Sequence, residues 1–372
     1  MKKSLFATTA IVAAFGMGAS AANAQDASFT VGGFSEFYAS WADQDQPAGG
    51  FHQSDYDFQT NTEVEFNGEV TLDNGITAGM MVQLEGDNGA TTDIDENIVF
   101  LEGSFGRVEL GHEDGASDTM SYGATSVKAV AVGTFNNTTG TLVNLTGNAP
   151  ILTGFGDSGD ATKINYYTPR FAGIQFGVTH APDDDADDPA VMTRGNAIGV
   201  AGGDAGTTTD HWEAGVNYVN SFNGFDIAAD VTGTYFNSTT AGDAGGDNYN
   251  ISPGFVVGFG GFEFGASMGI GESRGEDVLA YDAGVGYSTG PWSFSVTGFY
   301  AETEDTVRPA STDEDERYEI NGGINYALGS GVSVFSSVAF GETDAGDAPG
   351  QTGTDPRENE YVSVLTGVGV SF

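Results

Sequence analysis

A run of five aspartates within six residues offers side chains suited to metal binding. Carboxylate oxygens are the hard ligands that Ca²⁺ prefers. The run has neither the spacing of an EF-hand loop nor a glycine-rich nonapeptide repeat. We therefore expect a solvated acidic loop that holds Ca²⁺ only loosely, and no other cofactor. The five residues are Asp183, Asp184, Asp185, Asp187 and Asp188.

Other residue types found in active sites lack the spacing that catalysis requires. The four histidines, at positions 52, 112, 180 and 211, do not form H-E-x-x-H or a comparable ligand pattern. Cysteine is absent, so there is neither a thiol nucleophile nor a disulfide, and no G-K-S/T phosphate-binding loop occurs. The sequence predicts a protein that is not an enzyme.

The charge balance excludes nucleic acid as a partner. The chain has 11 Lys and Arg against 53 Asp and Glu, a net charge of −42. Such a surface repels phosphate backbones. A disordered acidic chain is also excluded because 39% of the residues are hydrophobic, with 26 Phe and 14 Tyr. The 57 Gly favour turns and curved sheets over helices.

Residues 1–24 have the features of a secretory signal peptide. Lys2 and Lys3 precede an apolar stretch, and Ala22-Asn23-Ala24 fits the small-x-small cleavage rule. A retained membrane anchor is the alternative, but the apolar stretch is shorter than the roughly 20 residues of a spanning helix. We expect export, cleavage and a mature chain of residues 25–372, in which no apolar run is long enough to form a spanning helix.

The mature sequence alternates with a period of two, as β-strands do. Residues 58–72 read FQTNTEVEFNGEVTL, with one face almost wholly apolar and Glu63, Glu65 and Glu69 on the other. Asp73-Asn74-Gly75 follows, and the alternation resumes at Ile76. This pattern predicts two strands joined by a tight hairpin turn.

The same unit recurs and predicts about sixteen strands. Tight turns alternate with long polar connections, among them residues 113–160, 182–210 and 272–277. A β-sandwich does not require this alternation, whereas a transmembrane antiparallel β-barrel has short periplasmic turns and long external loops. Closure removes edge strands, and about sixteen strands enclose an aqueous channel. Polar residues on the non-apolar faces predict a wet interior: Lys163, Asn165, Glu213, Asn217, Asp230, Asp282, Arg317, Glu319 and Asn321.

Aromatic residues at strand ends fit the girdles that border the apolar band of such barrels. An ordinary hydrophobic core would also contain aromatics. The last twelve residues, YVSVLTGVGVSF, place Phe372 at the end of an apolar strand face. The predicted girdle consists of Trp41, Phe58, Tyr166, Trp212, Tyr218, Tyr249, Trp292, Tyr300, Tyr318, Tyr326 and Phe372.

Two segments resemble general diffusion porins of Gram-negative bacteria. Residues 99–112, VFLEGSFGRVELGH, resemble the family segment V-G-L-x-G-x-F-G-x-V-x-L-G-R, and residues 163–178, KINYYTPRFAGIQFGV, resemble N-S-V-x-Y-x-S-P-x-F-x-G-F-x-F-G. The terminal aromatic looks like the family's assembly signal. The resemblance covers essentially the whole chain. It implies a homotrimer of sixteen-stranded barrels in the outer membrane, of the alphaproteobacterial type.

The resemblance also implies that residues 113–160 form a constriction loop folded into the barrel. In the family, carboxylates of this loop face a basic cluster on the wall. Here the centre of the loop is unusually apolar, and a histidine stands where the family usually has arginine, which weakens the basic side. The candidate carboxylates are Glu113, Asp114, Asp118, Asp157 and Asp160, and the candidate bases are Arg107, His112, Lys163 and Arg317.

The excess of acidic residues leads to the hypothesis of a cation-preferring pore with little transverse field. The expected partners are small hydrophilic solutes and ions, outer-membrane lipid and two further copies of the chain. Two alternatives remain: a structural or adhesive barrel, which would not conduct, and a substrate-specific channel, which would show saturable binding.

Overall fold

The computed structural model describes residues 25–45, 55–86, 93–130, 143, 149–150, 152–183, 208–238, 247–273, 275–304, 314–345 and 358–372. The predicted signal peptide lies outside these residues. Of the predicted calcium ligands, Asp183 ends a strand, while Asp184, Asp185, Asp187 and Asp188 lie outside the described residues. The signal peptide and the calcium site therefore stay predictions.

Sixteen antiparallel strands close into one barrel. Consecutive strands are neighbours, and the first pairs with the last, with Phe34 opposite Ser371. The predicted fold class and strand number are confirmed. The strands are β1 Gln25–Gln44, β2 Tyr56–Thr71, β3 Thr77–Glu85, β4 Asp93–Gly103, β5 Gly106–His112, β6 Thr162–Tyr167, β7 Ile174–Asp183, β8 Thr208–Phe222, β9 Phe225–Ser238, β10 Asp247–Phe259, β11 Phe262–Ser273, β12 Glu276–Thr289, β13 Trp292–Thr303, β14 Asp315–Gly329, β15 Val332–Ala345 and β16 Asn359–Ser371.

The period of two separates an apolar outer face from a polar inner face. On β16, Val364, Val368 and Val370 are exposed, whereas Tyr361 and Leu365 are buried on the inside. Buried inner residues of other strands are largely Asn, Thr, Asp and Glu. Most of the predicted girdle is exposed on the outer face: Trp41, Phe58, Trp212, Tyr218, Tyr249, Trp292, Tyr318 and Phe372.

Turn chemistry matches the short connections at one end of the barrel. Asn223 and Gly224 join β8 to β9, with φ of 51° and 83°. A two-residue hairpin turn needs positive φ at both positions, which Asn and Gly adopt most readily.

The predicted long connection at residues 272–277 is wrong. Strand β11 continues to Ser273 and β12 begins at Glu276, with Glu272 opposite Asp277 in the ladder. The charged side chains were consistent with a loop, but strands of a barrel extend beyond the apolar band into water, where such side chains are tolerated.

The connection between β5 and β6 enters the barrel. Its described residues include a helix, α1 Ala116–Thr119, and a 3₁₀ turn, Ala124–Val127. In the described part of the chain, no helix has the length and apolar character needed to cross a membrane. This connection is called the inner loop below and comprises residues 113–161.

Candidate functional site

The first half of the inner loop follows the inside wall of the barrel. Helix α1 contacts β7, β8 and β9, and the 3₁₀ turn contacts β10 to β13. Val130 then packs with Tyr38, Phe335 and Leu365, on β1, β15 and β16. This half, residues 113–130, is called the outbound limb.

The second half returns along the same wall. Val143 packs with Ala42, Ala339 and Tyr361, and Ala149 lies in a cluster with residues of β12 and β13. The Thr153 hydroxyl lies 2.7 Å from the Ser267 hydroxyl of β11. Residues 149–161 are called the return limb. Val143 and Ala149 of the apolar loop centre therefore pack on the wall.

Wall side chains hold the outbound limb through its backbone. The amide of Tyr122 donates to Asp230 Oδ1 at 2.9 Å, and the amide of Ala124 donates to Asp282 Oδ1 at 2.8 Å. The amide of Ala129 donates to Ser295 Oγ at 2.8 Å. A buried carboxylate is costly unless hydrogen-bonded, so these contacts account for Asp230 and Asp282 inside the barrel.

Wall glycines let the two backbones approach closely. A Cβ added at Gly254 would lie 1.9 Å from Tyr122 O, and one at Gly265 would lie 2.2 Å from Gly123 O. On the return limb, a Cβ at Gly269 would lie 2.0 Å from Thr153 O. Part of the high glycine content therefore forms a groove for the inner loop.

The described limbs leave the inner faces of β2 and β3 uncovered, on the opposite side of the barrel. Asp230, Asp282 and Glu319, which face the limbs or lie near them, are only 6%, 5% and 2% exposed. Glu63 and Glu65 on the inner face of β2 are half-buried. The wall that the described limbs leave uncovered is therefore acidic, and no Lys or Arg occurs from Gln25 to Gly106.

Two glutamates of this wall face each other directly. Glu63 of β2 is paired with Glu85 of β3, and Glu65 and Asp95 also lie within electrostatic range of Glu63. Like charges directly opposite in a sheet are destabilising. Because local rules are broken mainly at functional sites, this destabilising pair indicates that the negative charge has a function.

The predicted wall bases do not face this acidic wall as free cations. Arg107 donates to Glu109 Oε1 at 2.5 Å and to Glu102 Oε2 at 3.1 Å, and its guanidinium lies over the Phe100 ring. Lys163 is 3% exposed and donates to the carbonyls of Glu113 and Gly159. Arg317 is 6% exposed, with Asp315 and Glu319 nearby.

The predicted lumen position of His112 is wrong. Glu109 of β5 is buried on the inner face, and Leu110 is exposed on the outer face. Positions 107 and 112 differ by an odd number, so a regular strand places them on opposite faces. His112 accordingly lies on the outer face at the end of β5, with Nε2 3.1 Å from the Thr162 hydroxyl.

The predicted loop carboxylates gather where the two limbs meet. Asp114 and Asp160 approach Glu96 of β4, with one oxygen of each within 4.8 Å of the others. Asp157 accepts from the amide of Gly159 at 3.2 Å, and Asp118 is exposed to the lumen. Sequence reasoning missed Glu96 and also Lys128, which lies on the outbound limb near Glu319.

Confinement inside the barrel shifts the pKa values of several loop groups. Burial, with Glu109 and Asp114 nearby, raises the pKa of Glu113 to about 8. Burial and the neighbouring Glu213 raise the pKa of Asp157 to about 6. Burial also lowers the pKa of Lys128 to about 8, a shift that Glu319 partly offsets. The charge of the inner loop therefore changes between mildly acidic and mildly basic pH.

We expect cation preference to rise with pH. A raised carboxyl pKa means that the charge appears only as pH increases through about 6 to 8, and Lys128 loses its charge over the upper part of that range. Both changes make the lumen more negative. The cation-to-anion permeability ratio should increase roughly twofold from about pH 5.5 to about pH 8.5.

Reversal potentials measured across this pH range test the expectation. Glu113→Gln is the matched variant, because it removes one of the titrating groups and should flatten the upper part of the curve. A ratio that stays constant in the unmodified protein would contradict it, since ordinary carboxylates are already ionised at about pH 5.5.

Three segments match the letters of the serine hydrolase pattern G-x-S-x-G, residues 265–269, 271–275 and 286–290. Their serines lie on strands that lead into other strands, with Ser267 within β11, Ser273 at the end of β11 and Ser288 near the end of β12. None of them therefore lies on the strand-to-helix turn that exposes a nucleophile. The Ser267 hydroxyl instead donates to Asp282 Oδ2 at 2.6 Å, within the set of contacts that holds the loop.

Sequence reasoning predicted the position of the buried wall carboxylates but not their role. Their inward direction follows from the period of two, and the structure places Glu213, Asp230 and Asp282 on the inner face. Their hydrogen bonds to the loop could not be predicted, because no local pattern relates a wall residue to a loop residue about a hundred positions away.

Comparison with known proteins agrees with this architecture. A family model described as Gram-negative porin matches residues 7–346. An anion-selective porin from Comamonas acidovorans has a TM-score of 0.65 at 17% identity, covering 93% of this chain and 100% of that one. The trimer form of OmpT, an outer membrane protein of Vibrio cholerae, has a TM-score of 0.61 at 11% identity, covering 94% and 100%. An uncharacterised protein of Rickettsia conorii is 26% identical over 312 residues, 64% of this chain and 70% of that protein.

Proposed function

Because the chain belongs to the Gram-negative porin family, we propose that it forms a water-filled channel in the bacterial outer membrane through which ions and small hydrophilic solutes diffuse passively. We further propose that the channel prefers cations, and that the exported chain begins at Gln25 after removal of the signal peptide.

The observation that carries the cation preference is the acidic wall of β2 and β3. Glu63, Glu65 and Glu85 line the side of the lumen that the described limbs leave uncovered. A passage lined by one sign of charge concentrates the opposite ion. The structurally similar Comamonas porin is described as anion-selective. Selectivity therefore follows the charges on the wall and cannot be inferred from the shared fold.

A trimer is the proposed assembly. The outer faces of β15 and β16 carry mostly small or β-branched side chains, whereas those of β10 to β13 carry many aromatic rings. Small side chains permit close approach of two barrels in the membrane. The Vibrio neighbour is described in a trimer form, which supports the same arrangement here.

Conductance in a planar bilayer under a KCl gradient tests the proposal. We expect stepwise insertions in groups of three and a reversal potential on the cation-selective side. A reversal potential on the anion-selective side would refute the cation preference. Insertion without conductance would refute the channel and favour a structural or adhesive barrel.

A further inference from the structure

We propose that Glu213 of β8, together with Lys163 of β6, is a clamp that joins the two limbs of the inner loop and so sets the geometry of the constriction. The inference rests on the proposed channel function, because it concerns how the constriction is held. It assigns Glu213 and Lys163 a positioning role, whereas their inward direction alone would suggest that they line the path of the ions.

Glu213 bonds directly to both limbs. Its Oε2 accepts from the amide of Ser117 at 2.9 Å and from the Ser117 hydroxyl at 2.6 Å. Its Oε1 accepts from the amide of Ser158 at 2.9 Å and from the Ser158 hydroxyl at 2.5 Å. Ser117 lies on the outbound limb and Ser158 on the return limb, so each carboxylate oxygen holds one limb.

Lys163 makes the complementary connection. Its ammonium group donates to the carbonyl of Glu113 on the outbound limb and to the carbonyl of Gly159 on the return limb. The carboxylate of Glu213 therefore accepts hydrogen bonds from donors of both limbs, and the ammonium group of Lys163 donates to one carbonyl of each limb. Charge-assisted hydrogen bonds of this kind are roughly twice as strong as neutral ones.

The loop and the wall enclose Glu213 almost completely. Glu213 is 2% exposed. A Cβ added at Gly115 would lie 2.0 Å from Glu213 Oε2, so the loop backbone touches the carboxylate closely. His211 lies on the other side, with Nε2 3.9 Å from Oε1, and stacks on Phe236. Such enclosure fixes the position of the carboxylate and hence of both serines.

Other wall contacts support a single limb each. Asp230 and Ser295 accept from the outbound limb, whereas Asn250 donates to the carbonyls of Thr153 and Phe155 on the return limb, both at 3.1 Å. Loss of one such contact leaves the limbs joined. Loss of the clamp frees the base of the loop, from which the rest of the constriction extends.

A carboxylate is required because all four partners are donors. An ionised Glu accepts at both oxygens, whereas the amide nitrogen of Gln only donates. Glu213→Gln therefore places a donor against the amide and hydroxyl of one serine and releases that limb. The matched control is Asp226→Asn on the neighbouring strand β9. This variant also removes one wall charge, but Asp226 accepts from the Ser221 hydroxyl of β8 and not from the inner loop.

Single-channel recording of these variants in a planar bilayer tests the clamp. We expect Glu213→Gln to raise open-channel current noise several-fold and to lower the voltage at which the channel closes. We expect Asp226→Asn to leave both unchanged. Any shift in reversal potential should be small in both variants, because neither carboxylate belongs to the acidic wall of β2 and β3. Equal noise and closing voltage in the two variants would overturn the proposal.

The serines provide variants that disturb folding less. Ser117→Ala and Ser158→Ala each remove one hydroxyl donor and keep the backbone bond, so both should raise noise modestly. Added to Glu213→Gln, they should have almost no further effect, because the contact is already lost. Fully additive effects in this cycle would contradict a shared clamp.

Hydrogen exchange separates failure of the clamp from failure of the channel, because it requires no conductance. In detergent-solubilised protein, we expect the amides of Ser117 and Ser158 to exchange about tenfold faster or more in Glu213→Gln, and no change in Asp226→Asn. Faster exchange in a barrel that does not conduct would refute the channel and keep the clamp. Unchanged exchange in a conducting variant would refute the clamp and keep the channel.

Discussion

Replacing Glu63 and Glu65 together by lysine is expected to change the channel from cation-preferring to anion-preferring. Both side chains project from the inner face of β2 on the side that the described limbs do not cover. No Lys or Arg between Gln25 and Gly106 offsets them, so the substitutions introduce the first positive charges on this wall. The ladder should tolerate them, because Glu63→Lys replaces the repulsion from Glu85 by attraction.

Coulomb's law gives the size of the effect. One unit charge about 7 Å from a monovalent ion in water contributes about 0.6 kcal/mol. The double substitution changes the wall by four charge units, which is roughly 2 kcal/mol before screening, or more than tenfold in local cation concentration. Anions respond in the opposite sense. The measurement belongs at about 0.1 M salt, where the screening length is about 10 Å.

A control with the same charge change separates lumen charge from overall charge. Glu302 and Glu316 form a directly opposed pair on β13 and β14, next to the outward Tyr300 and Tyr318. Lysine at both positions changes the net charge equally but outside the lumen, so the reversal potential should stay almost constant. An unchanged reversal potential in the β2 variant would mean that ions do not pass along this wall.

The barrel could be predicted from sequence because its rules are local. The period of two decides which side chains meet lipid, and turn residues such as Asn223 and Gly224 mark the ends of strands. The same rule, applied consistently, would have placed His112 on the outer face, since it is separated from the inner Arg107 by an odd number of positions. The error at residues 272–277 arose because polar residues show that a segment is exposed to water. They do not show that the hydrogen-bonded strand ladder has ended.

The constriction could be predicted only as a position in the chain. The resemblance to porins implied an inward loop at residues 113–160 whose carboxylates face wall bases. Among the described residues, Lys163 has Asp114, Asp157 and Asp160 of the loop nearby, but its ammonium group and the guanidinium of Arg107 are already engaged in other contacts. Arg107 is paired with Glu102 and Glu109, and Lys163 holds loop carbonyls. Which wall the loop lies against depends on contacts between distant residues, and those leave no periodic signal.

Buried and half-buried carboxylates inside the barrel therefore have different tasks. Glu213, Asp230 and Asp282 accept hydrogen bonds from the loop and are largely removed from water. Glu63 and Glu65 retain contact with the lumen. The large negative charge of the chain consequently overstates the charge that an ion meets. Selectivity should depend mainly on the carboxylates of β2 and β3, with a smaller contribution from the titrating groups of the inner loop.

A single methyl group added by Gly254→Ala is expected to narrow the channel. The added Cβ would lie 1.9 Å from Tyr122 O and 2.9 Å from Asp230 Oδ1. Because ordinary contacts are longer, the outbound limb must move away from the wall by about 1.5 Å. That movement also breaks the bond from the Tyr122 amide to Asp230 and pushes the limb into the passage toward β2. We expect single-channel conductance to fall roughly twofold.

Gly258→Ala on the same strand and the same inner face is the matched control. There the nearest atom to an added Cβ is the Asp226 Cβ at 3.5 Å, an ordinary contact. Gly258→Ala should leave conductance unchanged. It should stabilise the barrel by about 0.4–1 kcal/mol, because alanine lowers the conformational entropy of the unfolded chain. Gly254→Ala should instead destabilise it by about 1–3 kcal/mol, measured by denaturant unfolding. Equal conductance in the two variants would show that the outbound limb does not rest against β10, and the groove assigned to the wall glycines would then be wrong.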